Sequence, residues 1–100
     1  MPAILVNHRV ADFKTWLKVY EEHEPVRRAA TATNSTVWQA QDDPNNVFIV
    51  IECTDLAKIK AFAESEDLKQ TMAKAGVIGK PTMQVLTGGL KYPLQAGQRA

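Results

Sequence analysis

The stretch "NVFIVIEC", residues 46–53, decides the fold because it is apolar at nearly every position. Successive side chains of a β-strand point to opposite faces, so the stretch divides into two sets. These sets are Val47, Ile49 and Ile51 on one side, and Phe48 and Val50 on the other. A strand that is apolar on both faces needs cover on both. We therefore expect helices on one face of a sheet and a second copy of the chain on the other.

Upstream of this strand, "STVWQAQ" at residues 35–41 is a second β-rich run. The two runs are joined by "DDPNN", residues 42–46, whose Asp, Pro and Asn residues favour turns. Together they predict an antiparallel hairpin. A last strand is predicted from "KPTMQVLTG", residues 80–88, opened by Pro81. The tail, residues 89–100, has no periodicity, and we expect it to fray or to lie on a neighbour.

The first strand is predicted from "AILVNHRV", residues 3–10, which places Asn7 and His8 on opposite faces. We expect Asn7 to face the helices, where an amide can serve a pocket. We expect His8 to face the partner sheet, where it packs in the barrel or hydrogen-bonds across a dimer. Asn7 and His8 would thus face two different environments, a pocket and a dimer interface.

Asp12 is a candidate N-cap for a helix with a large aromatic stripe. The stripe consists of Phe13, Trp16, Leu17 and Tyr20, with His23 at its margin. Pro25 disfavours helical geometry at Glu24, so we expect a kink or restart there, followed by polar loop within "VRRAATATN", residues 26–34.

Two further helices are predicted in the second half of the chain. Asp55 is the candidate cap of one, with Leu56 and Ile59 on its apolar stripe, and Ser65 is the candidate cap of a shorter one that ends at Gly76. The order strand, helix, strand, strand, helices, strand is that of an α+β, ferredoxin-like βαββαβ fold, a four-stranded antiparallel sheet with its helices on one face.

Length and composition predict one domain over residues 1–100, with its core at 3–88 and a C-terminal tail at 89–100. A domain this small gains buried area by forming a homodimer. The formal charge of +1 argues against a nucleic-acid partner, and the first residues show neither a secretory signal nor a membrane span. Cys53, the single cysteine, favours a reducing compartment, so we expect a cytoplasmic protein.

Residues 3–88 resemble the dimeric α+β barrel superfamily, and within it the antibiotic-biosynthesis-monooxygenase-like and cyclase-like small proteins. The segments that resemble it are "LVNHRVADFKTW", "EEHEPVRRAA", "DDPNNVFIVIECTD" and "AFAESEDLKQTMAKAGVIGKP". The resemblance implies two sheets closed into a barrel, with a small-molecule pocket between sheet and helices. It also implies that Asn7 occupies the position of an asparagine in the oxygenase and haem-degrading branches. Haem degradation is disfavoured, because "LKQTMAKAG" has no histidine and Cys53 stands where that branch has a tryptophan.

Several side chains are candidates for a pocket that binds a small cyclic ligand. His23 is the candidate general base, since imidazole titrates near neutral pH, and Asn7 is a candidate donor to an oxyanion. Trp16, Tyr20 and Trp38 are candidate walls, and Arg27 could bind a carboxylate. The aromatic residues are more often part of a core, and Arg27 is more often solvated surface. For His23 a solvated surface position, and for Asn7 a backbone-paired amide, is as typical as a functional role. No cofactor is expected, and the histidines and Cys53 lack the spacing of a metal site.

Two functions follow, and the residues leave both open. One is a cofactor-independent, monooxygenase-like or isomerase-like enzyme. The other is a non-catalytic ligand-binding or interaction dimer whose cleft is filled by its own side chains. An open cavity in which Asn7 and His23 converge would favour the enzyme, and a filled cleft would favour the second function.

Overall fold

The structure is a computed structural model that describes residues 2–90 and 92. Its elements are β1 (Ala3–Val10), α1 (Phe13–Glu22), α2 (Glu24–Ala29), β2 (Ala32–Ala40), β3 (Asp43–Cys53), α3 (Leu56–Ala63), α4 (Glu66–Lys74) and β4 (Val77–Leu86). The four strands form one antiparallel sheet in the order β2-β3-β1-β4. The ferredoxin-like α+β fold expected from the element order is therefore confirmed.

Three of the helices begin at the residues that the sequence indicates. The side chains of Asp12, Asp55 and Ser65 accept hydrogen bonds from backbone N–H groups in the first turns of α1, α3 and α4. At α1, the hydroxyl and the amide of Thr15 both donate to Asp12, and these bonds lower the pKa of that carboxyl. Each cap satisfies an amide that has no partner within its own helix.

The break after α1 is confirmed, but the polar loop predicted after Pro25 is wrong. His23 ends α1 and precedes α2, which has Pro25 in its first turn, where a missing N–H costs little. The chain then reverses through Thr31, which adopts a φ of 75°. Strand β2 begins at Ala32, so most of the segment predicted as loop is helix or strand.

Like β2, the strands β3 and β4 begin earlier than predicted. Strand β3 starts at Asp43, which pairs with Ala40, so "DDPNN" is mostly strand. Strand β4 starts at Val77, directly after Gly76, whose φ of 82° suits glycine at the end of α4. Pro81 lies inside β4 at a register shift relative to β1, and such an irregularity tolerates its missing donor.

The helices cover the face of β1 that carries Ile4, Val6, His8 and Val10, all of which are buried. The expectation that Asn7 faces the helices and His8 the other side is therefore wrong. The physical reason is that the helices cover the most apolar face, and three large aliphatic residues share a face with His8. On β3 the same face carries Val47, Ile49 and Ile51, which are also buried.

No helix within residues 2–90 lies over the opposite face of the sheet, and we call it the open face. It carries the half-buried side chains of Leu5, Asn7, Phe48 and Val50. Trp38, paired with Phe48, is 62% exposed there. The tail predicted at 89–100 lies mostly outside the described residues. Among the residues that are described, no helix is long and apolar enough to cross a membrane.

Asn45 links the β2–β3 hairpin to the start of α1. Its Oδ1 accepts a hydrogen bond from the Phe13 amide at 3.1 Å, and its Nδ2 donates to the Ala11 carbonyl at 3.4 Å. These bonds fix the position at which the aromatic helix leaves the sheet.

Candidate functional site

A cavity of about 60 Å³ lies between the sheet and the helices, and we call it the inner cavity. Most of its wall is aliphatic or aromatic. Its polar wall residues are His8, Tyr20, His23, Arg27 and Thr71. Two methionines, Met72 and Met83, also line it. The cavity is therefore an apolar space into which a few polar groups converge, which is the usual character of a ligand site.

Helix α1 supplies an aromatic stack along one side of the inner cavity. The rings of Phe13 and Trp16 stack at 5.6 Å between centroids, and those of Trp16 and Tyr20 at 4.8 Å. The guanidinium of Arg27 continues the stack, with its carbon 3.6 Å from the centre of the Tyr20 ring. The three- and four-residue spacing along α1 places these rings on one face, and α2 brings Arg27 back over them.

Arg27 is only 6% exposed and forms no ion pair with a carboxylate of the described residues. Its Nη1 donates to the Tyr20 carbonyl at 2.7 Å, near the carboxyl end of α1, where the helix dipole favours a cation. Burial lowers the pKa of Arg27, opposed by Tyr20 and Glu24. A guanidinium still remains charged at neutral pH. The site therefore contains a buried positive charge.

His8 projects from β1 into the same space and is 6% exposed. Its ring meets Trp16 edge-on at 5.7 Å between centroids. Both ring nitrogens are buried without a hydrogen-bond partner in the structure, and so is the Tyr20 hydroxyl. Burial lowers the pKa of His8, so the neutral imidazole, with one N–H donor and one acceptor, is the dominant form at neutral pH.

His23 closes the cavity at the junction of α1 and α2, and its side chain is 11% exposed. Its Nε2 lies 2.8 Å from Asp67 Oδ2 on α4 and 3.4 Å from the Thr71 hydroxyl. Because a carboxylate only accepts, Nε2 donates the proton to Asp67. In the neutral ring Nδ1 is then the proton acceptor. A base oriented by a carboxylate is a recurring catalytic arrangement.

The structure brings together four of the six residues that the sequence indicated for the pocket: Trp16, Tyr20, His23 and Arg27. Asn7 and Trp38 do not join them, because both lie on the open face. The prediction that these two residues share a pocket with His23 is therefore wrong. Asn7 Nδ2 instead donates to the Asn46 side chain at 2.9 Å and to the Val47 carbonyl at 3.0 Å. That is the backbone-paired role considered as its alternative.

Sequence reasoning missed two residues of the site. His8 could have been found from the apolar residues that share its face of β1. Asp67 could not, because it lies 44 residues from His23 and is one of many acidic residues on helix surfaces.

Cys53 is buried, burial raises the pKa of its thiol, and it lies outside the cavity wall. Within the described part of the chain, no group of three or more metal-ligating side chains comes together.

No family model and no curated protein sequence matches the chain. Solved structures match it well in fold. SnoaB, a cofactor-independent oxygenase from Streptomyces nogalater, aligns with a TM-score of 0.73 at 10% identity, over 92% of this chain and 96% of that chain. An antibiotic biosynthesis monooxygenase aligns with a TM-score of 0.67 at 16% identity, over 90% of this chain and 100% of that one.

A third structure, a conserved protein from Methanosarcina mazei, aligns with a TM-score of 0.66 at 10% identity, over 85% of this chain and 89% of that one. At these identities the likeness is one of fold. The chain thus has the fold of the antibiotic-biosynthesis-monooxygenase-like proteins, and the resemblance seen in its sequence is confirmed at that level.

The unpartnered His8 predicts that His8→Leu stabilises the protein. A buried polar group without a partner costs about 1–3 kcal/mol, and the lost edge contact with Trp16 offsets about 0.5–1.5 kcal/mol of the gain. We expect the free energy of unfolding, measured in urea at pH 7.5, to rise by about 1 kcal/mol. A loss of stability would indicate that His8 is satisfied by contacts within the protein.

The same variant should change the pH dependence of stability. The folded-state pKa of His8 lies below its ordinary value of 6.5, so the unfolded chain binds more protons just below that pH. The pH-dependent part of the free energy of unfolding that arises from His8 is therefore fully present above pH 6.5. It is lost as the pH falls through the folded-state pKa. His8→Leu should flatten this slope, and Arg28→Gln, a control at an exposed residue that does not titrate in this range, should retain it.

Proposed function

We propose that this protein is a homodimeric, cofactor-independent monooxygenase-type enzyme that binds a compact enolisable or phenolic substrate in the inner cavity. The observation that carries the proposal is the pair of unpartnered polar groups, His8 and the Tyr20 hydroxyl, that line this cavity. Buried polar groups are almost always hydrogen-bonded, so exceptions need an explanation. A ligand that supplies their partners is that explanation.

The reaction needs a base, a dry pocket and dioxygen. The base removes the acidic proton of the substrate, from a CH₂ group beside a carbonyl or from the O–H group of a phenol. The resulting carbanion, at a carbon that still carries one hydrogen, transfers electrons to dioxygen. The bond that forms is C–O, giving a peroxide. Loss of water from the peroxide leaves a C=O group, so one oxygen atom enters the product and the other becomes water. The substrate supplies all four electrons, and no separate reductant is required.

The cavity residues fit distinct roles in this sequence. His23 Nδ1 accepts the proton, while Asp67 holds the ring through Nε2 and stabilises the imidazolium that forms. The neutral imidazole of His8 and the Tyr20 hydroxyl donate hydrogen bonds to the bound substrate and hold it in position against His23. The apolar remainder of the wall excludes water, which strengthens these interactions.

The homodimer part of the proposal rests on the open face. Leu5, Phe48 and Val50 form an apolar strip on a sheet whose other face is already covered by helices. A second copy packed through the same face would bury this strip and close a barrel. The lone Cys53 is in keeping with the cytoplasmic location expected from the sequence.

The small volume of the inner cavity favours the alternative function, a non-catalytic binding or interaction dimer. A cavity of about 150 Å³ accommodates benzene, and the inner cavity is well below that size. A cyclic substrate therefore requires the flexible side chains of Met72 and Met83 to move aside. If they do not, the aromatic stack is a filled core, and the protein is a non-catalytic binding or interaction dimer.

A ligand screen followed by an oxygen electrode distinguishes these functions. We expect small diketones and phenols to raise the melting temperature of the wild-type protein and not that of His8→Leu. A ligand that is also a substrate should consume one dioxygen per molecule, with undiminished rate in EDTA. Binding without oxygen consumption would support the binding protein. Failure of every ligand to bind would contradict a small-molecule site.

A further inference from the structure

We propose that the ligand of the inner cavity carries a carboxylate group, which is seated against Arg27, the Tyr20 hydroxyl and His8. This inference rests on the proposed function, because it names the chemical class of the molecule bound at the same site. Its starting point is Arg27, a buried cation that has no carboxylate partner among the described residues.

The charge of the site argues for a monoanion. Arg27 contributes one positive charge, and the lowered pKa of His8 keeps that imidazole neutral. Glu24, the acidic residue nearest to it in the chain, instead accepts from Arg28 at 2.8 Å on the surface. An isolated buried charge is costly, and pairing it with one opposite charge recovers much of that cost. A neutral ligand would leave the guanidinium unpaired.

The hydrogen-bond inventory argues for a carboxylate in particular. Among the described residues, Arg27 has one hydrogen-bond acceptor, the Tyr20 carbonyl, which leaves four of its five N–H groups for a ligand. A planar carboxylate matches the guanidinium fork and has room for about four hydrogen bonds. The Tyr20 hydroxyl and one N–H of His8 are the further donors that lack partners. One carboxylate can therefore accept hydrogen bonds from all three side chains at once.

The size of the cavity is consistent with a carboxylate and a short apolar chain. At about 60 Å³, the cavity is smaller than the one of about 150 Å³ that accommodates benzene, but it can hold a few non-hydrogen atoms. The aliphatic walls from Ile4, Val6 and Ile49 suit the carbon atoms next to the carboxylate. We thus expect the carboxylate end of an enolisable or phenolic acid to occupy this space, and a ring in the same molecule requires Met72 and Met83 to move aside.

Propionate and propionamide, which have the same shape and differ in charge, test this directly. Each is titrated into the wild-type protein at constant ionic strength, and binding is followed by NMR of the Trp16 indole. We expect propionate to bind about tenfold more tightly or better, because hydrogen bonds to a charged group contribute about tenfold or more in affinity. Equal affinities would overturn the carboxylate assignment and leave the small-molecule site intact. Binding of neither molecule would overturn both.

Two neighbouring arginines provide the matched comparison. Arg27→Gln should abolish the preference for propionate, whereas Arg28→Gln, at an exposed residue paired with Glu24, should keep it. If Arg27→Gln does not fold, Arg27→Lys retains the charge and should keep the preference with weaker binding, because a lysine cannot form the bidentate pair. Loss of the preference in Arg28→Gln to the same extent would show that the anion binds at the surface.

Discussion

Replacing His23 with alanine is expected to lower the turnover of an identified substrate about 100- to 10,000-fold, the usual contribution of a positioned general base. The structure supports this role through the 2.8 Å bond between Nε2 and Asp67, which orients the ring and leaves Nδ1 as acceptor. Steady-state oxygen consumption by folded, dimeric protein is the measurement. The effect should appear in kcat rather than in KM, because proton removal follows binding.

Asp67→Asn is the companion variant to His23→Ala. Its amide can still contact the ring but cannot stabilise the imidazolium, so turnover should fall by a smaller factor than in His23→Ala. The sequence alone placed His23 in the pocket as the candidate base and His8 at the partner sheet. Since His8 also lines the cavity, His8→Ala should impair turnover as well as His23→Ala. Full activity in His23→Ala would remove it as the base and transfer that role to His8.

Val50→Glu is expected to dissociate the homodimer. Val50 lies in the middle of the open face, between Leu5 and Thr36 on the neighbouring strands. A dimer packed through this face would bury two unpaired carboxylates, a cost that corresponds to at least about 100-fold in the dissociation constant. Sedimentation equilibrium should then change from a dimer to a monomer of 11.1 kDa.

Ala73→Glu, at an exposed residue of α4, is the control for the dimer experiment and should leave the sedimentation unchanged. A wild-type protein that sediments as a monomer at micromolar concentration would contradict the dimer outright. Dissociation by both variants would indicate that the dimer forms through the helices instead.

The strands and helix starts could be predicted because local chemistry determines them. Asp12, Asp55 and Ser65 cap helices through their own side chains, and the apolar run of β3 can only be a buried strand. The extents of α2 and β4 could not be predicted in the same way. Helix α2 continues to Ala29, with Arg27 packed over the Tyr20 ring, and pairing with β1 extends β4 back to Val77.

The candidate site was predictable only in part. The spacing of Trp16 and Tyr20 placed them on one helix face, and the cavity formed there. The error lay in choosing the face of β1, because strand alternation separates Asn7 from His8 without saying which one meets the helices. Comparing the apolar residues on the two faces would have selected His8. The contact between His23 and Asp67 depends on how α4 packs against the α1–α2 junction. No local sequence pattern indicates that packing.

The two tryptophans of the chain lie on opposite sides of the sheet, Trp16 on α1 and Trp38 on β2. They give the most direct test of the central claim that the inner cavity is the ligand site. Trp16 lines this cavity, and Trp38 lies on the open face. In NMR spectra of ¹⁵N-labelled protein, with the indole signals assigned through Trp38→Phe, a ligand from the thermal-shift screen should move the Trp16 signal and leave Trp38 in place. A shift of Trp38 with Trp16 unchanged would place the ligand on the open face and contradict the account.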